Sequence, residues 1–254
     1  MHPILLHLGP LTIPTFGLLA ALGIMAALAL SLRTARAVGL PPDSVWNAGL
    51  FAVAAAFVLS RLLLVLTNFA SFRLYPVLLL SVPSLTPTGL LLTAVATLGW
   101  LRLCRLHILS TLDAWAPCAT LLWAFLSLGH FAEGSDPGLP TRSRLGLRLP
   151  GESIPAHPVA LYATLAALAI TAFLLWEVRR RHSSGSTTAL ALALTGITQF
   201  FLTFLRQPFP YADVNPLPLD PLQWVALGMI AVSGLLTLSH PAPRRPEVRS
   251  THAV

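Results

Sequence analysis

The residues of this chain able to do chemistry are few, and they gather in four short stretches. In "LGHFAEGSDPG", residues 128–138, His130 and Glu133 stand three positions apart and are followed by Ser135 and Asp136. That spacing puts both side chains on one helix face if a helix runs so far. An imidazole beside a carboxylate is a composition suited to accepting and relaying a proton. Gly129, Gly134 and Gly138 argue instead for a backbone that unwinds here. At membrane depth, irregular backbone persists only where it lines protein or a wet cavity. The plain alternative for His130 is a hydrogen-bonding residue near an interface.

The other three stretches carry arginine or a second histidine. "FVLSRLLLVL" places Arg61 inside an apolar run. Its guanidinium either snorkels to the interface or points at a buried anion, a carboxylate or a lipid phosphate. In "QFFLTFLRQP", Gln199, Thr203 and Arg206 recur at helical spacing, and Pro208 and Pro210 then stop the helix. An arginine at a helix C-terminus is explained by the dipole and the last carbonyls, which leaves the polar stripe leading to it unexplained. "AHPVALYA" opens another helix, with Pro158 in the first turn. There His157 is a cap or a second imidazole, and Tyr162 an interfacial anchor or a site residue.

The elements that must position these groups follow from composition. Of 254 residues, 55% are hydrophobic and only 10% charged, with a mean hydropathy of +0.75. Soluble domains are about a quarter charged, so a water-facing globule is excluded. Apolar runs near the roughly 20 residues needed to cross a bilayer recur along the whole chain. The fold class is therefore all-α, a polytopic membrane protein of about seven transmembrane helices, expected at 11–32, 45–68, 86–103, 111–131, 158–176, 186–205 and 219–239. A shorter apolar segment, 72–82, holds Arg73, Tyr75 and Pro76 and is expected to lie in the interface. Residues 1–239 read as one helical membrane domain with a long outer loop at 132–157, and the Pro/Arg-rich stretch 240–254 as a disordered cytoplasmic tail. No cleavable leader is expected at the first span, which lacks a basic approach and a small-residue cleavage site.

Every one of the sixteen basic residues is arginine. With the N-terminus outside, inner segments carry Arg33, Arg36, Arg102, Arg105, Arg179, Arg180, Arg181, Arg244, Arg245 and Arg249, and outer segments only Arg73, Arg142, Arg144, Arg148 and Arg206. This is the positive-inside arrangement. The formal charge of +7 suits anionic headgroups; the arginines form no single basic face, so nucleic acid is not an expected partner. Arg142, Arg144 and Arg148 break the bias, either tolerated or clamping lipid phosphates. Cys104 and Cys118 read as packing residues without metal-ligand spacing.

Taken together, these stretches resemble prolipoprotein diacylglyceryl transferases, bacterial membrane enzymes that lipidate lipoprotein precursors. "HPILLHLGPLTIPTFGLLAALG" is similar to the family's opening, "LGHFAEGSDPG" to its G-R-x-G-N-F-x-N-G-E-x-x-G signature, "HPVALY" to H-P-x-Q-L-Y-E, "FLRQP" to F-x-R-Q-P, and "LQWVALG" to the final span. The resemblance covers nearly the whole chain. It implies transfer of the diacylglyceryl group of phosphatidylglycerol to the lipobox cysteine thiol of a lipoprotein-precursor signal peptide. It also implies a multi-pass protein of the bacterial inner membrane in contact with membrane lipids, and no cofactor or metal. On that reading His130 or His157 takes the thiol proton, Glu133 orients that base, and Arg61 with Arg206 holds the phosphate. Gly129, Phe131, Gly134, Gly138, Tyr162, Gln199 and Gln223 line the site. The chain departs from the pattern at several positions. Pro87 stands near the family's histidine, Ser127 at the signature arginine, His130 and Glu133 at its two asparagines, and Ser135 at its glutamate. Ala160 and Ala163 replace a glutamine and a glutamate, Gln199 and Thr203 an arginine and a glutamate, and Phe16 a tyrosine. Two alternatives stand beside the enzyme: a catalytically degenerate member that binds lipid or peptide, and a small transporter, which should show two repeated halves.

Overall fold

The computed structural model describes residues 4–8, 11–75, 86–136, 138–143, 146–148, 154–180, 183–207 and 219–239. Its elements are β1 (Ile4–Leu8), β2 (Leu11–Pro14), α1 (Thr15–Ala37), α2 (Pro42–Thr67), α3 (Phe69–Leu74), α4 (Pro87–Leu103), α5 (Ile108–Glu133), α6 (Val159–Glu177), α7 (Ser186–Thr203) and α8 (Pro221–Ser239). Six of these helices, α1, α2 and α5 to α8, are long and apolar enough to span a bilayer. The seventh, α4, has 17 residues, about 25 Å of helix, and falls short of the roughly 30 Å hydrocarbon core. The chain is a polytopic helical membrane protein, as its composition requires.

The N-terminal boundary differs from expectation. The first helix begins at Thr15, and Leu11–Pro14 pairs antiparallel with Ile4–Leu8 instead. A residue before proline is pushed to extended backbone, and Pro14 itself is extended (φ −71°, ψ 138°) at the helix entry. The expected interfacial segment is seen only in part: α3 carries Phe72 and Arg73, and its continuation beyond Tyr75 lies outside the described residues, as do Pro208, Pro210 and the tail from residue 240.

Helix α5 is the hub. It packs on α1, α6 and α7, while α8 packs on α7, and α2 joins the bundle through α1 and carries α4. Lipid tails are as apolar as leucine, so close backbone approach and internal polar contacts hold membrane helices together. Thr120 on α5 and Thr171 on α6 share a hydrogen bond of 2.9 Å, and the Ser233 hydroxyl of α8 donates to the Ala189 carbonyl of α7 at 2.6 Å. Asp113, 5% exposed, accepts from the backbone N–H groups of Gly185 (2.6 Å) and Thr188 (2.8 Å) and from the Thr188 hydroxyl (2.8 Å). A carboxylate on α5 thus caps α7, satisfying donors that α7 cannot pair itself. Between α2 and α4, Phe51 and Trp100 stack at 4.4 Å, and Gly89 lies directly against Ser60. Cys118 is buried with its sulfur 3.8 Å from the Thr34 hydroxyl, and Cys104 is exposed at the end of α4.

A Cβ on Gly89 would lie 2.6 Å from the Ser60 Cα, a backbone atom that cannot swing aside. Gly89→Ala is therefore expected to destabilise the protein by about 1–3 kcal/mol, the range for overpacking, lowering the melting temperature in detergent. Gly99→Ala on the same helix, where nothing lies within 4 Å, is the control and should leave melting unchanged. Equal melting of the two variants would contradict this packing.

Candidate functional site

The candidate residues meet where α5 ends. The helix runs through Gly129 without unwinding and stops at Gly134, whose left-handed backbone (φ 73°) reverses the chain. Glycine adopts that conformation without steric cost. The turn is closed by the N–H groups of Gly134 and Ser135, both donating to the His130 carbonyl at 2.9 and 3.2 Å. Ser135 is thereby folded back so that its hydroxyl lies 2.9 Å from His130 Nδ1. From the other side the Phe16 ring packs on the imidazole at 4.7 Å. Gly129 permits this contact, since a Cβ there would lie 2.7 Å from Phe16 Cδ2. His130 is exposed yet held on two sides. In the tautomer whose Nδ1–H donates to the Ser135 hydroxyl, the free lone pair is on Nε2, the arrangement a general base needs.

Glu133 shares the helix face with His130 as its spacing requires, and it is half-buried, but no hydrogen bond joins the two among the described residues. The group oriented against His130 is Ser135. The left-handed turn at Gly134 brings residue 135 back over the last helical turn.

Beyond the turn, residues 138–139 run between two other chain segments. Gly138 forms an antiparallel bridge with Arg206; the Leu139 N–H donates to the Leu205 carbonyl at 2.8 Å, and the His157 N–H to the Leu139 carbonyl at 3.0 Å. The end of α7, the exit of α5 and the entry of α6 are so joined by backbone hydrogen bonds. Gly138 sits against the His157 carbonyl, and a Cβ on it would stand 2.8 Å from Val159 Cγ2. The ladder aligns two side chains. Arg206 Nη2 lies 3.0 Å from Asp136 Oδ2, each side chain about one-fifth exposed (22% and 20%). Arg206 Nε is buried and lacks a hydrogen-bond partner. His157 places Nδ1 3.4 Å from the Tyr162 hydroxyl, so this histidine faces a phenol and caps no helix.

The structure thus unites His130, Gly134, Gly138, His157, Tyr162 and Arg206 at one end of the bundle and adds Ser135 and Asp136. The other expected residues lie on these and further helices. Arg61 is half-buried on α2, which packs chiefly on α4 and α1. Gln199 lies one turn before Thr203, whose hydroxyl donates to its carbonyl at 2.8 Å. Gln223 is 5% exposed, and its side-chain carbonyl accepts from the Asp220 N–H (3.1 Å) while Asp220 Oδ1 accepts from Leu222 N–H (2.8 Å). That reciprocal pair caps α8. Phe131 is half-buried, Arg142 and Arg148 are exposed on the loop, and Arg144 lies outside the described residues. Asp136 was visible in sequence only as the carboxylate next to Ser135; its partner is seventy positions away and no local pattern connects them.

Comparison with known proteins agrees with this geometry's origin in one family. The family model described as prolipoprotein diacylglyceryl transferase matches residues 3–239. A relative from Clostridium tetani, named phosphatidylglycerol–prolipoprotein diacylglyceryl transferase, is 24% identical over 213 residues, covering 81% of this chain and 86% of its own length. A similarly named relative from Clostridium perfringens is 25% identical over 237 residues (89% and 90%), and one from Bacillus cytotoxicus 27% over 244 residues (90% and 88%).

Because Gly138 has no room for a side chain, Gly138→Ala is expected to break the ladder while the spans remain helical. Hydrogen exchange at the Leu139 and His157 amides should accelerate by about ten-fold or more, as local opening becomes cheaper. Unchanged protection at both amides would show that the close approach is not needed.

Proposed function

The chain belongs to the prolipoprotein diacylglyceryl transferase family, and we propose that it moves the diacylglyceryl group of phosphatidylglycerol onto the lipobox cysteine thiol of a lipoprotein precursor, in a bacterial inner membrane. The observation that carries this reading is Arg206: a guanidinium at the edge of the spans, aligned by Asp136 at 3.0 Å and retaining a buried Nε without a partner. Arginine held so is suited to a phosphate, which it binds by charge-assisted and often bidentate hydrogen bonds.

The reaction exchanges a C–O bond for a C–S bond. The cysteine sulfur attacks the glyceryl carbon that carries the phosphate ester, the C–O electron pair leaves with the phosphate oxygen, and glycerol phosphate departs. A free thiol has a pKa of about 8.5, so a base is needed near neutral pH. His130 supplies it through Nε2, with Ser135 fixing Nδ1. Arg206 holds the charge that develops on the leaving phosphate, and an arriving phosphate competes with Asp136 for it. His157 and Tyr162 border the same ladder and serve to position substrate. Arg61, half-buried on α2, is the second guanidinium for the phosphate beside Arg206.

A second reading, a non-catalytic lipid- or peptide-binding member, is favoured by one observation. Ser127, Ala160, Ala163 and Thr203, which stand where the family resemblance implies ionisable or amide side chains, are all buried at 9% exposure or less. The interior between α5, α6 and α7 is packed with small residues and holds no such network.

Transfer of labelled diacylglycerol to a lipobox peptide by the purified protein separates the two. The enzyme reading expects product, with Arg206→Ala slowing turnover by roughly 10²–10³-fold, as for loss of a transition-state donor, and Arg206→Lys by less. His130→Ala should cost on the order of 10²-fold. No product from the unaltered protein, alongside retained phosphatidylglycerol binding, would establish the second reading instead.

A further inference from the structure

At the end of the bundle opposite His130, a cavity of about 320 Å³ opens where the C-terminal ends of α1 and α6 meet the N-terminal ends of α5 and α7. Ligand pockets run from about 300 to 1,000 Å³, so this one suits a compact headgroup and not a whole lipid. Its wall is polar although the chain is mostly apolar: Arg179, Arg180, Ser183, Ser186, Thr187 and Asp113 line it. Nothing in the transfer reaction uses these residues.

Three features make it a site for an anion. The Arg180 guanidinium lies 3.4 Å from the centroid of the Trp176 ring, a cation–π contact that fixes the charge in place. The carboxylate of Asp113 is fully engaged by the Gly185 and Thr188 donors at the start of α7. It neutralises that helix terminus, so attraction for an anion comes from the arginines of the rim, Arg179 first. Finally, Thr187 is only 4% exposed and lines the cavity, yet its hydroxyl makes no hydrogen bond to any described residue. The cavity is the side from which a partner for this hydroxyl can come.

We propose that this cavity binds a phosphate-bearing anion, Arg179 and Arg180 holding its charge and the Thr187 hydroxyl donating to one of its oxygens. The arginine asymmetry puts this end at the inner leaflet, so the phosphate belongs either to a headgroup of that leaflet or to a soluble phosphate. Shared chemistry serves both, and the two sources are separable by experiment.

The test uses the full chain purified in neutral detergent, with two probes: inorganic phosphate titrated calorimetrically, and phosphatidylcholine vesicles doped with phosphatidic acid, the retained lipid counted by native mass spectrometry. Arg179 is exposed, so Arg179→Ala does not threaten the fold, and Thr187→Val keeps the side-chain shape. Each is expected to weaken binding by roughly ten-fold, the worth of one charge-assisted contact. Arg102→Ala, an exposed arginine at the same end on α4 and outside the cavity, should change nothing. Binding of both probes supports the site with soluble phosphate sufficient; binding of the lipid alone supports it with a headgroup as ligand. No binding of either probe, equal loss in Arg102→Ala, or full binding in both cavity variants overturns the proposal.

Discussion

The geometry of the candidate site depends on the close approach of Gly138 to the His157 carbonyl. Three helix ends meet there, and each brings backbone groups that their helices leave unpaired. Hydrogen bonds from Leu139 to Leu205 and from His157 to Leu139 satisfy several of them at once. They are possible only because one residue in the middle segment has no side chain. Once the segment is seated, Asp136 and Arg206 face each other, and His157 is turned toward Tyr162. The left-handed turn at Gly134 does the same for the other half, returning Ser135 to His130. Two glycines therefore set where six polar side chains stand.

The interior follows a different rule. An ionised group without a partner at membrane depth costs several kcal/mol or more, so polar groups there must be satisfied by the protein. Asp113 shows how this is met: its carboxylate receives three donors from the start of α7. Between α5, α6 and α7 the alternative is taken, with Ser127, Ala160, Ala163 and Thr203 buried in close packing. Small side chains there let the helices approach closely with no buried charge to satisfy.

Helix α5 connects those ends. Its first turns carry Asp113, and its last carry His130 and the Gly134 cap. Pro117, buried within it, forfeits one backbone hydrogen bond, a loss membrane helices tolerate when neighbouring groups and local adjustments re-satisfy the backbone. Packed against α1, α6 and α7, this helix sets the relative height of every other element, and so the level at which the ladder can close.

Sequence alone determined the class of molecule and the spans to within a few residues. These follow from composition and periodicity, which are local and additive along the chain. It misplaced what depends on a neighbour: the entry of α1, shifted to Thr15 by the hairpin before it. That Gln223 also caps α8 was not legible, since a capping pair needs the helix start to be fixed first. Only the tertiary structure decided that Arg206 belongs with Asp136, and that Asp113 belongs to α7. Both pairs join residues about seventy positions apart, and no pattern read along one strand of text records which backbones will come within 3 Å of each other when helices pack.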